Sequence, residues 1–347
     1  MLPIEESRAP GPDAHEGASR RRFIQAAGAV GAATVLAPLI ASRRASAAPK
    51  KSLKILQWNH FVPGYDKWFD ATYVKEWGAK NDTEVIVDHV GIPALATRAA
   101  AEVSAQKGHD LFMFLSPPPA YEEQVIDHRE LYEECTRKHG KPVDLAVRST
   151  YNPKTKKYFA FSDSYVPDPI NYRKDLWDDV GMTPNTWDDI RVGGRKIKQR
   201  HNIPLGIGLE HVMDCYTIWK FADNIEGARK FLVDYIDNFH SGFMASEFYN
   251  FPCFSSTVPD LQKLIANDSK AKPADKYKVL SDVLDWATNI GYPGYANAAI
   301  DEIFNTWVLN MMFAKAASGA DTPENAIKQA EAQCKRIVEK WRGKGLV

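Results

Sequence analysis

Strand and helix alternate over residues 53–115, and that alternation constrains the architecture more than any other feature. Leu53 to Trp58 is a short apolar run that reads as a buried strand. Past a Pro63-Gly64 turn, Tyr65, Trp68, Phe69, Tyr73 and Trp77 recur at helical spacing. Glu84 to Val90, rich in β-branched residues, reads as a second strand. An Ala-rich helix is expected from about Pro93 to Gln106, with Gly108 as its C-terminal cap. Asp110 to Leu115 reads as a third strand, stopped by Ser116-Pro117-Pro118-Pro119. Such an order predicts an α/β fold, a parallel sheet with helices on its faces. Ligands of such sheets bind beyond the carboxyl ends of the strands. Those ends are Trp58–Phe61, Val90–Ile92 and Ser116–Tyr121.

Residues 137–157 are polar and basic and read as a surface loop, followed by a strand at Tyr158 to Ser162. Residues 163–169 carry two prolines within three positions, which no helix interior tolerates. We read 163–170 as an extended crossing between an α/β lobe (48–162) and a mainly helical lobe (171–347). In the second half, Ala228, Phe231, Leu232, Tyr235 and Ile236 form a helical stripe with Asn224 as N-cap. Ile300, Ile303, Phe304, Trp307, Val308, Met311 and Met312 form a longer stripe ended by Gly319, and Thr322-Pro323 opens a last helix. Both stripes read as core faces, and Trp187 and Trp307 are assigned to the core.

The first 47 residues read as a leader. Ser19-Arg20-Arg21-Arg22-Phe23-Ile24-Gln25 resembles the twin-arginine export signal, with Arg20, Arg21 and Phe23 at its key positions. A weakly apolar stretch from Ala26 to Ile40 follows, shorter than the ~20 residues of a membrane span. Ala45-Ser46-Ala47 then offers an A-x-A cleavage site. The expectation is a periplasmic protein that meets the twin-arginine translocase during export. Basic and acidic residues balance at 44 each; the leader holds six of the former and four of the latter, leaving a net charge of −2. A basic nucleic-acid footprint is absent. Cys135, Cys215, Cys253 and Cys334 show no C-x-x-C spacing and are expected as free thiols.

No H-E-x-x-H, G-x-S-x-G or Walker loop occurs, and neither a cofactor nor a metal is expected. Aromatic and mixed polar residues sit instead where a ligand cleft should lie. Stacking on a sugar ring needs flat aromatic faces, and its hydroxyls need carboxylates, amides or His. Trp58, His60 and Phe61 follow the first strand; Ser116 and Tyr121 flank the triple proline. Tyr165 and Asp168 lie on the crossing, and Tyr292 and Tyr295 form an aromatic turn. These nine are the candidate ligand-binding residues. Trp58 fits packing under the first helix as well as ligand contact. An exported glycoside hydrolase with two opposed carboxylates is the alternative function.

Asn171-Tyr172-Arg173-Lys174-Asp175-Leu176-Trp177, then Gly181, then Pro184-Asn185-Thr186-Trp187-Asp188-Asp189 resembles a segment of the extracellular solute-binding proteins, family 1, the maltose-binding type. Ala228-Arg229-Lys230-Phe231-Leu232 and Thr322-Pro323-Glu324-Asn325-Ala326 resemble two further elements of that family. The resemblance implies a two-lobe periplasmic binding-protein fold (type II). It also implies reversible capture of a sugar or polyol for an ABC permease. One departure is large: the 300 residues after Ala47 fall short of the family's length, with the gap at Gly206–Glu210. The expectation is an internal deletion near Gly208 and a truncated second lobe. It follows that the solute is bound weakly or not at all, and that helices such as Ala228–Ile236 expose apolar faces.

Overall fold

The computed structural model describes residues 51–167, 172–205 and 213–347. Arg20, Arg21, Phe23, Asp168 and the Gly208 junction lie outside the described residues.

The chain runs through β1 (Lys51–Trp58), α1 (Pro63–Trp68), a π-helical stretch (Phe69–Tyr73) and α2 (Val74–Lys80) to β2 (Thr83–Val90). Pro63 opens α1 instead of forming a free turn, because a missing N–H costs nothing in a first helical turn. Then come α3 (Leu95–Ala105), β3 (Leu111–Phe114), α4 (Arg129–His139) and α5 (Asp144–Thr150). A small hairpin follows, β4 (Tyr151–Asn152) with β5 (Lys157–Tyr158), and then β6 (Phe161–Ser162) and β7 (Ser164–Tyr165). The stretch read as a surface loop therefore holds a helix and a hairpin: Leu145, Ala146, Ser149 and Thr150 supply one buried face among polar neighbours. The second half contributes α6 (Lys174–Asp179), α7 (Trp187–His201), β8 (Cys215–Ile218), α8 (Ile225–Asp237), α9 (Phe239–Ala245) and β9 (Phe251–Pro252). It closes with α10 (Leu261–Ala266), α11 (Val283–Trp286), α12 (Ala298–Asn305), α13 (Val308–Ser318) and α14 (Pro323–Gly343). Among the described residues no helix is long and apolar enough to cross a membrane.

The main sheet has the order β2-β1-β3-β8-β6. β1 pairs parallel with β2 along its whole length and with β3 through Ile55 and Leu56. β8 enters antiparallel beside β3, and β6 beside β8. The second half was expected to be helical here. All four residues of β8 are buried, so the run lacks the alternation that marks a half-buried strand. His128 locks it in place: Ile218 N–H donates to Nε2 at 3.0 Å, and Nδ1 lies 3.0 Å from the Tyr158 carbonyl. Burial pushes the His128 pKa down to about 4, so the ring stays neutral and can hold both bonds.

The aromatic row of the π-helical stretch and α2 packs on α8. The Phe231 ring meets Phe69, Tyr73 and Trp77 at 5.9, 5.4 and 5.2 Å. The predicted stripe Ala228, Phe231, Leu232, Tyr235 and Ile236 is fully buried there, contrary to the expectation that truncation would expose it. Asn224 caps the helix, its Oδ1 accepting from Gly227 N–H. α3 ends at Gln106 in the left-handed region (φ +48°), not at Gly108. Gly108 serves close packing: a Cβ there would fall 2.2 Å from the Glu102 carboxylate, which accepts from the Trp219 and His109 N–H groups.

The long C-terminal stripe is not one core face. It breaks at Trp307 (φ +58°) between α12 and α13, and of α13 only Val308 is buried. Leu309, Met311 and Phe313 are exposed, as is Trp187 (68%). Gly319 ends α13 in the left-handed region, and Thr322 Oγ1 accepts from Asn325 N–H at the start of α14. All four cysteines are free; Cys135, Cys215 and Cys253 are buried.

Two carboxyls, Asp163 and Asp214, are fully buried, and among the described residues no cation pairs with either. Ser164 Oγ–H lies 3.0 Å from Asp163 Oδ2 and 3.3 Å from Asp214 Oδ2, and Trp58 Nε1–H donates to Asp214 Oδ1 at 3.2 Å. Burial lifts the Asp163 pKa to about 7; burial and then the Asp163 charge lift Asp214 well above the carboxylate range. Both groups hold a proton in the folded state where the unfolded chain has lost it. Their stabilisation is complete below the unfolded pKa and is lost as pH rises through the folded values. Denaturation midpoints should therefore show a loss on the order of 1–3 kcal/mol between about pH 6.5 and about pH 8.5, to which the raised groups Asp301 and His109 add with the same sign. The double variant Asp163→Asn/Asp214→Asn should reduce that slope and leave the share of Asp301 and His109; an unchanged slope would contradict the assignment.

Candidate functional site

The parallel strands β1, β2 and β3 all end at one edge of the sheet, and a cleft of about 390 Å³ opens there. One wall comes from the strand ends. Phe61 follows β1; Ile92, Leu95 and Ala96 follow β2; Phe114, Leu115, Ser116, Pro118, Ala120 and Tyr121 follow β3. The other wall comes from the C-terminal helices: Asp301, Glu302, Phe304 and Asn305 of α12, Thr306 and Trp307 at the break, Asn310 of α13 and Trp341 of α14.

Three of the sequence candidates, Phe61, Ser116 and Tyr121, line this cleft. Phe61 is 55% exposed and rests on Trp58 and Tyr249, with centroids 5.0 and 5.8 Å away. Tyr121 is half-buried against Phe114 and Trp219. Trp58 and His60 lie beneath the cleft. Trp58 is buried and stacks on His60 at 5.0 Å. Val62 N–H donates to His60 Nδ1 (3.0 Å), which leaves Nε2–H to donate to Asn250 Oδ1 (3.1 Å). Burial lowers the His60 pKa, so the ring is a neutral support for the Phe61 turn.

The remaining candidates lie away from it. Tyr165 is buried on β7 against Phe251, 5.8 Å between centroids. Tyr292 is 65% exposed on the surface. Tyr295 sits under the Arg148 guanidinium, 5.5 Å from its ring. Asp168 lies outside the described residues.

Sequence reasoning missed the second wall. Trp307 was assigned to the core, yet it is 60% exposed, because the chain turns left-handed there and swings the ring outward. Asp301 is buried, its Oδ2 accepting from Ala120 N–H at 3.4 Å and its Oδ1 from Asn305 Nδ2–H. Burial lifts the Asp301 carboxyl to about 7. Glu302 Oε2 accepts from Lys340 Nζ (2.6 Å) and from Trp341 Nε1–H. An aspartate inside an apolar helical stripe was the one available signal. Among the described residues no group of three or more His, Cys, Asp or Glu is placed to hold a metal ion.

No protein-family model matches the sequence, and no curated protein matches it. Solved structures do. The chain has the two-lobe α/β fold of periplasmic solute-binding proteins. An ABC substrate-binding protein of Listeria monocytogenes in complex with cycloalternan aligns over 84% of this chain and 99% of its own, with TM-score 0.61 and 14% identity. A sugar transporter of Arthrobacter chlorophenolicus with bound laminaribiose aligns over 82% and 99%, with TM-score 0.62 and 12% identity. A periplasmic solute-binding protein of Pectobacterium atrosepticum aligns over 84% and 99%, with TM-score 0.60 and 10% identity.

A bulky L-residue in the left-handed region costs about 1–2 kcal/mol, and an exposed indole recovers little of it. Trp307→Gly is therefore expected to raise folding stability by about 1 kcal/mol in urea denaturation. A loss of similar size would mean that the ring carries structural packing.

Proposed function

We propose that this chain is the periplasmic receptor of an ABC importer and captures a carbohydrate-like or polyol solute for a membrane permease. The observation that carries this reading is the composition of the cleft at the strand ends. Phe61, Tyr121, Phe304 and Trp307 offer flat faces, and Ser116, Asn305 and Asn310 offer hydroxyl and amide groups around them. Trp307 accepts backbone strain to stand exposed on that wall, which suits a ring kept for ligand contact. The two solved relatives with cycloalternan and laminaribiose support the solute class. Hydrolysis is less well supported: both cleft carboxylates, Asp301 and Glu302, are consecutive on α12, whereas glycosidases set two across the scissile bond.

The finer parts of the reading concern the lobes and the export route. We place the α/β lobe at 48–162, the crossing at 163–170 and a reduced second lobe at 171–347, shortened near Gly208. Exposed apolar side chains on α11 and α13, among them Leu284, Trp286, Met311 and Phe313, fit helices that have lost a packing partner. A reduced lobe encloses the solute incompletely, so each polar contact competes with water and contributes only about 0.5–1.5 kcal/mol. Calorimetric titration with glucan oligosaccharides should then give dissociation constants weaker than about 1 μM, and Trp307→Gly should abolish the heat without lowering stability. Catalytic release of monosaccharide, or full binding by Trp307→Gly, would overturn the reading.

Export is proposed to follow the twin-arginine route with cleavage after Ala47, on the strength of Arg20, Arg21 and Phe23. Replacing both arginines by lysine should hold the precursor in the cytoplasm in a fractionation assay. Undiminished export of that variant, or export in cells lacking the translocase, would count against the route.

A further inference from the structure

We infer that the solute taken by this cleft carries a positively charged amino group, as an amino sugar or amino polyol does. This rests on the reading of the cleft as a solute trap and narrows the class it traps.

The charge lining the cleft is unbalanced. The described cleft lining contains two carboxylates, Asp301 and Glu302, and no Lys, Arg or His. Glu302 is already matched by Lys340 Nζ at 2.6 Å and by the Trp341 indole N–H. Asp301 is not. Its oxygens accept only from neutral donors, the Ala120 N–H and the Asn305 amide, and among the described residues no cation pairs with it. It lies in a wall that also carries Phe304, Trp307 and Trp341, and the negative face of an aromatic ring attracts a cation.

Asp301 is already buried, and a neutral sugar closing over this wall would bring it no counter-charge, so its carboxyl would keep its proton or hold an uncompensated charge. An ammonium group would supply both the charge and up to three donors. The titratable groups around Asp301 are few. The Tyr121 phenol faces it from residues 119–124, and the Asp301 charge helps to raise that phenol's pKa. Glu302 adjoins it on α12, with Lys340 of α14 held behind Glu302. Burial, with a smaller contribution from Glu302, lifts the Asp301 carboxyl to about 7, as suits a carboxylate still lacking its cation.

The test needs matched ligands. The full chain is titrated by calorimetry with a β-1,4-linked glucosamine oligosaccharide, with its N-acetylated form and with laminaribiose. The free-amine form is expected to bind about tenfold tighter than the acetylated one, a difference typical of one desolvated charge contact. Asp301→Asn keeps an acceptor for the Ala120 N–H and should erase that preference, so that the free-amine and acetylated forms bind within about twofold of one another. Equal or tighter binding of the acetylated form or of laminaribiose would overturn this inference and leave solute capture standing. Binding of none of the three would overturn both.

Discussion

The parallel pairing of β1 with β2 on one side and β3 on the other is the constraint on which the rest of the structure depends. It brings three strand ends to one edge, so the turns at 59–62, 91–94 and 115–121 must form a common surface. Asn59 N–H donates to the Val90 carbonyl at 2.9 Å and carries the pairing one residue beyond β1. From there Phe61 reaches the cleft. Val62 N–H holds the His60 ring, the ring holds Asn250, and the turn is braced from below. The antiparallel entry of β8 closes the other side of β3 and ties residues from the second half into the same core.

The two walls of the cleft are built on different terms. The strand-end wall is over-determined: Trp58, Tyr65, His60 and Tyr249 stack beneath it, and the sheet fixes its backbone. The helical wall rests on a much smaller cluster, with Ala298, Ala299, Val308, Ala330, Ile337 and Trp341 as its buried members. It carries the left-handed Trp307, the uncompensated Asp301 and much of the exposed apolar surface. Strain and unpaired charge placed on the less supported wall suit a surface that exchanges contacts when a ligand arrives.

Much of this was legible in the sequence because the period of the hydrophobic pattern was clear. Leu53–Trp58, Glu84–Val90 and the stripe at Ala228–Ile236 correspond to β1, β2 and α8, and the carboxyl-end rule led to Phe61, Ser116 and Tyr121. What could not be read follows from two physical causes. Short, wholly buried strands such as Cys215–Ile218 carry no alternation, and their pairing partner lies about a hundred residues away. A stripe such as Ile300–Met312 looks continuous until one residue turns left-handed, and the helix then presents its aromatic outward. Tyr165 and Tyr295 show the limit of inferring a site from aromatics alone: each found a neighbour to pack on, Phe251 and Arg148.

We propose that solute is held between the ends of β1–β3 and the α12–α13 break. Amide hydrogen exchange of the full chain, with and without saturating oligosaccharide, tests it most directly. The account predicts new protection confined to residues 59–62, 91–96, 115–121 and 301–310. Protection elsewhere, for example along α4 and α5, with those four segments unchanged, would contradict it.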